Sequence, residues 1–86
     1  MKQIIEVNGE GLESFFGKTV MLMCMNYNYS GTLEGVNDTF VKLSGKDAVI
    51  VYETGGWSNK VWKGSQSVGG PIYVERSKIE AFFAGK

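Results

Sequence analysis

The chain has 86 residues, of which 43% are hydrophobic and 13% aromatic, and nine lysine and arginine residues balance nine aspartate and glutamate residues. This length fits one domain, residues 1–86. A domain of this size buries only about 60–65% of the surface that its unfolded chain exposes, so some of the apolar side chains are expected to lie in contacts between subunits. The balanced charge excludes a whole-molecule attraction to nucleic acid, and the lack of histidine removes the commonest general base and metal ligand.

The cysteine content and the local motifs exclude further classes of function. The single cysteine, Cys24, excludes a disulfide framework and favours a reducing compartment. The apolar run at the N-terminus is too short for a signal peptide, and no stretch reaches transmembrane length. We therefore expect a cytoplasmic protein with no membrane segment, cofactor or metal. Because no acid pair, activated serine or phosphate-binding glycine loop forms a recognisable motif, we expect no enzymatic activity.

The first half of the chain indicates a short helix followed by two strands. Residues 3–7 include three β-branched side chains and could form a short extra strand. Residues 10–16 predict a helix, because their apolar side chains share one helical face. Residues 18–25 predict a strand with two apolar faces, so its second face must be covered by the helix or by a neighbouring molecule. Residues 29–35 predict the next strand, and Gly31 in its interior signals a bulge or a sharp bend.

The second half predicts more strands around a polar excursion. The predicted strands are residues 39–43, 48–53, 72–75 and 79–83. Between them, residues 55–70 are rich in glycine and are expected to form a long hairpin tip. Trp57 and Trp62 are five residues apart and would point to opposite faces of a strand, so they are not expected to form one stacking platform. A short N-terminal helix and about five bent strands predict an all-β fold, a small, strongly bent open barrel.

One segment points to a function. Residues 29–43, Tyr-Ser-Gly-Thr-Leu-Glu-Gly-Val-Asn-Asp-Thr-Phe-Val-Lys-Leu, place a bend glycine, an acid, an aromatic ring and a lysine around one turn. The pattern Gly31-Thr-Leu33 followed by Asp38-Thr-Phe40-Val41 resembles the first motif of the Sm-like RNA-binding proteins, and its second part resembles the bacterial Hfq branch. The similarity covers roughly residues 10–53.

The chain also departs from the family pattern. The aspartate falls one residue late, so that Asn37 stands in the register of the family's aspartate. The Arg-Gly pair of the second motif is represented by Arg76-Ser77 only.

The resemblance implies how the molecule assembles. In the Sm-like family, strand four of one subunit pairs with strand five of the next, which closes a ring around a pore. The apolar strands at residues 48–53 and 79–83 support such pairing independently, because they are too hydrophobic to remain exposed edges. A head-to-tail contact that closes gives a cyclic homo-oligomer.

The leading hypothesis is a ring that binds single-stranded nucleic acid, RNA rather than DNA, in RNA processing or pairing. We predict that Phe40 stacks on a base, that Lys42, Arg76 and Lys78 contact phosphates or base edges, and that Asp38 shapes the loop. Each residue also has a purely structural interpretation: Phe40 as barrel filling, Lys42 as a solvated charge, Arg76 as a brace for a carboxylate, and Asp38 as a turn cap. The alternative function is a structural or protein-interaction ring that binds no nucleic acid.

Overall fold

The structure, a computed structural model, describes residues 9–85. The possible strand at residues 3–7 therefore lies outside the described part of the chain. Within residues 9–85 the chain forms seven strands and two single-turn 3-10 helices. In chain order these are η1 (Leu12–Phe15), β1 (Thr19–Cys24), β2 (Asn28–Val36), β3 (Phe40–Leu43), β4 (Val49–Glu53), β5 (Gly64–Ser67), β6 (Ile72–Glu75), η2 (Arg76–Lys78) and β7 (Ile79–Ala84). The predicted all-β class is confirmed.

The predicted N-terminal helix is much shorter than expected. Only η1 is helical, and only Leu12 within it is buried. Gly11 before it has an extended backbone, and Phe16 after it leaves the helical conformation at φ −52° and ψ 126°. The helical segment is therefore too short to repay the costly first turn of an α-helix. Neither 3-10 turn in residues 9–85 has the length or apolar character needed to span a bilayer.

Strand β2 is the point at which the antiparallel sheet divides. Along one edge it pairs with β1 over residues 28–32. Along its other edge the partner changes from β4 at residues 28–30 to β3 at residues 33–36. Gly31 lies at this change of partner, and the register shift falls just beyond it, between Leu33 and Gly35. The predicted irregularity is therefore a branch point in the sheet.

The sheet is open and does not close into a barrel, and it has seven strands where about five were predicted. The path runs β5-β4-β2-β1-β7, with β3 joining β2 to β6. Although η2 connects β6 directly to β7, these two strands pair with different neighbours, β3 and β1. Residues 48–53 were expected to be an edge that pairs between subunits. They are not an edge, because β4 lies between β2 and β5 within the chain.

Strands β3 to β6 form one long interrupted hairpin. Its inner part pairs β4 with β5, and its outer part pairs β3 with β6. The two registers differ by one residue at positions 49–51 and by two residues at Glu53. The arms are interrupted at residues 44–48 and 68–71. Residues 54–63, which we call the tryptophan loop, form the tip of this hairpin, as expected for part of the glycine-rich excursion.

The core lies on one face of the bent sheet. Alternating side chains of β1 and β3 point into it, and η1, β2, the β3–β4 connection and β6 each add one residue. Its buried members are Leu12, Val20, Leu22, Leu33, Val41, Leu43, Ala48 and Val74.

The tryptophan loop covers the second face of β1. Met21 alternates with the core residues of β1 and is nevertheless fully buried. Its cross-strand partner Phe83 lies edge-on to Trp57, with ring centroids 5.7 Å apart. Trp57 in turn lies 6.2 Å from Trp62, again edge-on. The cover expected from the helix or a neighbouring molecule thus comes from this loop. The two tryptophans contact each other edge-on and so do not form one flat platform.

Candidate nucleic-acid interface

Two of the predicted site residues share the outward face of β3. Phe40 and Lys42 alternate with the buried core residues of this strand. Tyr73 on β6 is the direct cross-strand partner of Lys42. The ring of Phe40 lies edge-on to that of Tyr73, with centroids 5.5 Å apart, and the Lys42 Nζ lies 5.8 Å from the Tyr73 centroid. We call Phe40, Lys42 and Tyr73 the aromatic–lysine patch.

The patch is accessible to a ligand. Phe40 is 39% exposed and Tyr73 is 56% exposed. The Lys42 Nζ also lies 3.6 Å from the Glu34 carboxylate, in an ion pair whose side chains are both well exposed. Exposed pairs of this kind contribute only about 0–1 kcal/mol. A phosphate can therefore compete with Glu34 for the lysine at little cost.

The turn before β3 is shaped by Asn37. Its Oδ1 accepts hydrogen bonds from the backbone N–H groups of Thr39, at 2.7 Å, and Phe40, at 2.8 Å. This is the arrangement by which asparagine side chains stabilise turns. Asp38 is exposed, and its carboxylate forms no hydrogen bond or ion pair with any of residues 9–85. The loop-shaping role predicted for Asp38 therefore belongs to Asn37, while contact of Asp38 with RNA stays a prediction.

Replacing Asn37 with alanine should lower the free energy of unfolding by about 1 kcal/mol, because two backbone N–H groups lose their acceptor. Asp38→Ala is the matched control and should stay within about 0.5 kcal/mol of the wild type. Urea unfolding of the two variants measures this difference. Equal losses would mean that the turn does not depend on the Asn37 amide.

Arg76 braces this turn from η2. One guanidinium nitrogen donates to the Asn37 carbonyl oxygen at 3.0 Å, and another donates to Glu13 Oε1 at 2.8 Å. Its backbone N–H donates to the Thr39 carbonyl oxygen at 2.9 Å. Arg76 thus ties η1 and η2 to the loop that carries Phe40. The bracing interpretation matches this geometry, and direct contact of Arg76 with nucleic acid stays a prediction.

The Glu13–Arg76 pair predicts a pH-dependent stability. Hydrogen bonds from its own backbone and from Arg76 lower the pKa of Glu13. A lowered pKa stabilises the fold fully above the unfolded-state pKa, about 4.5, and this contribution is lost as the pH falls through the lower folded-state pKa. Acidification to about pH 3 should therefore lower the melting temperature less in Glu13→Gln than in the wild type.

Glu10→Gln is the control for this experiment, because Glu10 forms no ion pair with any of residues 9–85. Its melting temperature should fall with acid as the wild type's does. The effect at Glu13 is small, because the carboxylate is exposed and screened by solvent. Identical acid profiles for Glu13→Gln and the wild type would contradict the role of the pair.

Lys78 lies apart from the patch, on a groove of about 460 Å³ between the β1–β2 turn and β6. Tyr27, Tyr29 and Tyr73 also line this groove. Since Tyr73 belongs to both features, it joins the groove to the aromatic–lysine patch. The structure thus brings Phe40 and Lys42 together directly, Arg76 through the turn, and Lys78 only through the groove.

Tyr73 was missed by the sequence reasoning. The alternation of residues 72–75 places it on the face opposite Val74, so its outward position could be expected from the sequence. Its value as a site residue comes from pairing with Lys42, and the sequence did not indicate which strand β6 would join.

Comparisons with protein-family models, with curated proteins and with solved structures found no match to this chain. The fold and the site define its class: an all-β protein whose open antiparallel sheet carries an exposed patch of two aromatic rings and a lysine. In the described part of the chain, no group of three or more cysteine, aspartate or glutamate side chains could hold a metal ion.

Proposed function

We propose that this protein is a cytoplasmic, Sm-like ring subunit that binds single-stranded nucleic acid, RNA rather than DNA, in RNA processing or pairing. The aromatic–lysine patch carries the proposal. Exposed aromatic rings stack on bases at about 1–3 kcal/mol per base, and a neighbouring lysine contacts the phosphate backbone. Since the net charge is zero, binding depends on such local patches repeated around a ring.

The strand order supports the Sm-like part of the proposal. If β3–β4 and β5–β6 are counted as the two arms of one interrupted hairpin, the chain has five strand segments, of which β7 is the fifth. This is the number that the resemblance of residues 10–53 implies. The turn that carries Asn37 and the turn η2 meet through Arg76, as expected if both face one pore.

Unpaired strand edges support ring formation. Within residues 9–85, β6 pairs only with β3, and β7 pairs only with β1. The outer edges of β6 and β7 thus remain available to other copies of the chain. Pairing of β6 in one subunit with β7 in the next would satisfy both edges, and Phe82 on β7, which is 38% exposed, would gain cover.

The alternative is a structural or protein-interaction ring without nucleic acid. It is favoured by the ion pairs that already engage two of the predicted cations, Lys42 with Glu34 and Arg76 with Glu13. In such a ring these residues would stabilise the fold, and the patch would contact protein.

Fluorescence anisotropy with labelled oligo-U, oligo-A and matched DNA separates the two functions. RNA binding should weaken with rising salt, with a logarithmic slope of about −0.7 per phosphate contact. Lys42→Ala should reduce this slope. Lys63→Ala should not, although Lys63 also forms an exposed ion pair, at 3.2 Å from Glu53. A structural ring would bind none of the oligonucleotides at any salt concentration.

A further inference from the structure

A second pocket lies between the tryptophan loop and the sheet. It has a volume of about 260 Å³, and we call it the loop pocket. Thr19, Ser30 and Ser65 line it from the strands, while Lys60 and Trp62 line it from the loop. None of these residues belongs to the aromatic–lysine patch, so the pocket is separate from the proposed nucleic-acid interface.

The strand side of the loop pocket is rich in hydroxyl groups. Ser30 is only 3% exposed, yet it borders the pocket. Thr19 and Ser65, which also carry hydroxyl groups, line the same pocket. Each hydroxyl can both donate and accept a hydrogen bond. This side of the pocket therefore matches a ligand with several hydroxyl or carbonyl groups, such as a ribose and a base edge.

The loop side offers an indole wall that neighbouring rings hold in place. Trp62 contacts Trp57 edge-on, and Trp57 packs against Phe83 on β7. A ring anchored in this way loses little conformational entropy when a ligand binds. Indole faces stack favourably on nucleobases.

One cation and one anion border the loop pocket, Lys60 and Asp47. Lys60 forms no ion pair with any of residues 9–85, whereas Lys63 in the same loop is paired with Glu53. Asp47 also borders the pocket, but both its carboxylate oxygens accept hydrogen bonds from Thr32, at 3.0 and 2.6 Å. The Asp47 carboxylate keeps its charge but is held toward Thr32 by these bonds, which leaves the Lys60 ammonium as the cationic group able to meet a ligand.

We propose that the loop pocket binds one nucleoside monophosphate, either free or at the end of an RNA strand. The base lies against Trp62, the phosphate meets Lys60, and the ribose faces the hydroxyls of Ser30 and Ser65. Ligand pockets commonly measure about 300–1,000 Å³, and the loop pocket, at about 260 Å³, leaves no room for more than one nucleotide. This inference does not depend on ring formation or on the patch.

Quenching of intrinsic tryptophan fluorescence tests the proposal. The titrants are AMP, UMP, the corresponding nucleosides, ribose 5-phosphate and inorganic phosphate. We expect saturable quenching by the two nucleotides, and affinity at least tenfold weaker for the nucleosides and for inorganic phosphate. Lys60→Ala should weaken nucleotide binding about tenfold, while Lys63→Ala, the control in the same loop, should leave it unchanged.

A second variant and a second ligand pair complete the test. Thr19→Val removes one hydroxyl with little change in shape and should weaken nucleotide binding without unfolding the protein. Short RNAs with and without a terminal phosphate show whether the ligand is a free nucleotide or the end of an RNA strand. A site for strand ends should bind the phosphorylated RNA more tightly than the unphosphorylated one. Absence of saturable quenching by AMP and UMP would overturn the proposal. So would nucleosides that bind as tightly as the nucleotides, with an affinity that Lys60→Ala does not change.

Discussion

Gly31→Val should lower the free energy of unfolding by about 1–3 kcal/mol, the usual cost of overpacking a buried site. Gly31 lies where β2 changes partner from β4 to β3. A Cβ at this position would lie 3.0 Å from the Ala48 Cα and 3.3 Å from the Leu43 Cβ. The first of these is a backbone atom and cannot rotate away, so the β3–β4 connection would have to shift. Urea unfolding monitored by circular dichroism measures the loss.

Gly35→Val is the matched control in the same strand. A Cβ at Gly35 would meet nothing within 4 Å, and valine is favoured in strands. We expect its stability to stay within about 0.5 kcal/mol of the wild type. If both variants lost the same stability, the close approach of the β3–β4 connection to Gly31 would not explain the need for glycine there.

Phe40→Ala and Tyr73→Ala should each weaken the binding of oligo-U or oligo-A about tenfold, which corresponds to the loss of one stacked base at about 1–3 kcal/mol. Both rings are exposed and face outward from the sheet, so either substitution should leave the core intact. The double variant should lose less than the two single losses combined, because the two rings contact each other. Anisotropy titrations at one fixed salt concentration measure these changes.

Tyr52→Ala provides the control for nonspecific effects of removing a surface ring. Tyr52 lies on β4 and is 67% exposed, outside the aromatic–lysine patch. It should bind RNA as the wild type does. Unchanged affinity in Phe40→Ala and Tyr73→Ala, with circular dichroism spectra of folded protein, would remove the patch from the site.

Apolar alternation was enough to predict most of the strands. Residues 72–75 form a strand with the predicted bounds, and β1 is only one residue shorter at each end than predicted. β5 was missed because Gly-Ser-Gln-Ser carries no apolar pattern. It is a strand because β4 supplies its hydrogen-bonding partners, which is a long-range effect that local residue preferences do not contain.

The candidate site was predictable only in part, because its geometry depends on pairing. The segment around Phe40 and Lys42 was identified from its local pattern, and alternation places both residues on one face. Tyr73 joined them through the β3–β6 register. Either Asn37 or Asp38 could have shaped the turn, depending on which side chain accepts hydrogen bonds from the backbone. Both residue types stabilise turns in this way, so the sequence alone leaves the choice open.

Native mass spectrometry of the protein mixed with one oligo-U or oligo-A strand tests the central proposal most directly, since it reports subunit number and bound nucleic acid together. The proposal predicts a single closed homo-oligomer that carries one strand, and loss of the strand but not of the oligomer in Phe40→Ala. Monomers without RNA at micromolar protein concentration would contradict it.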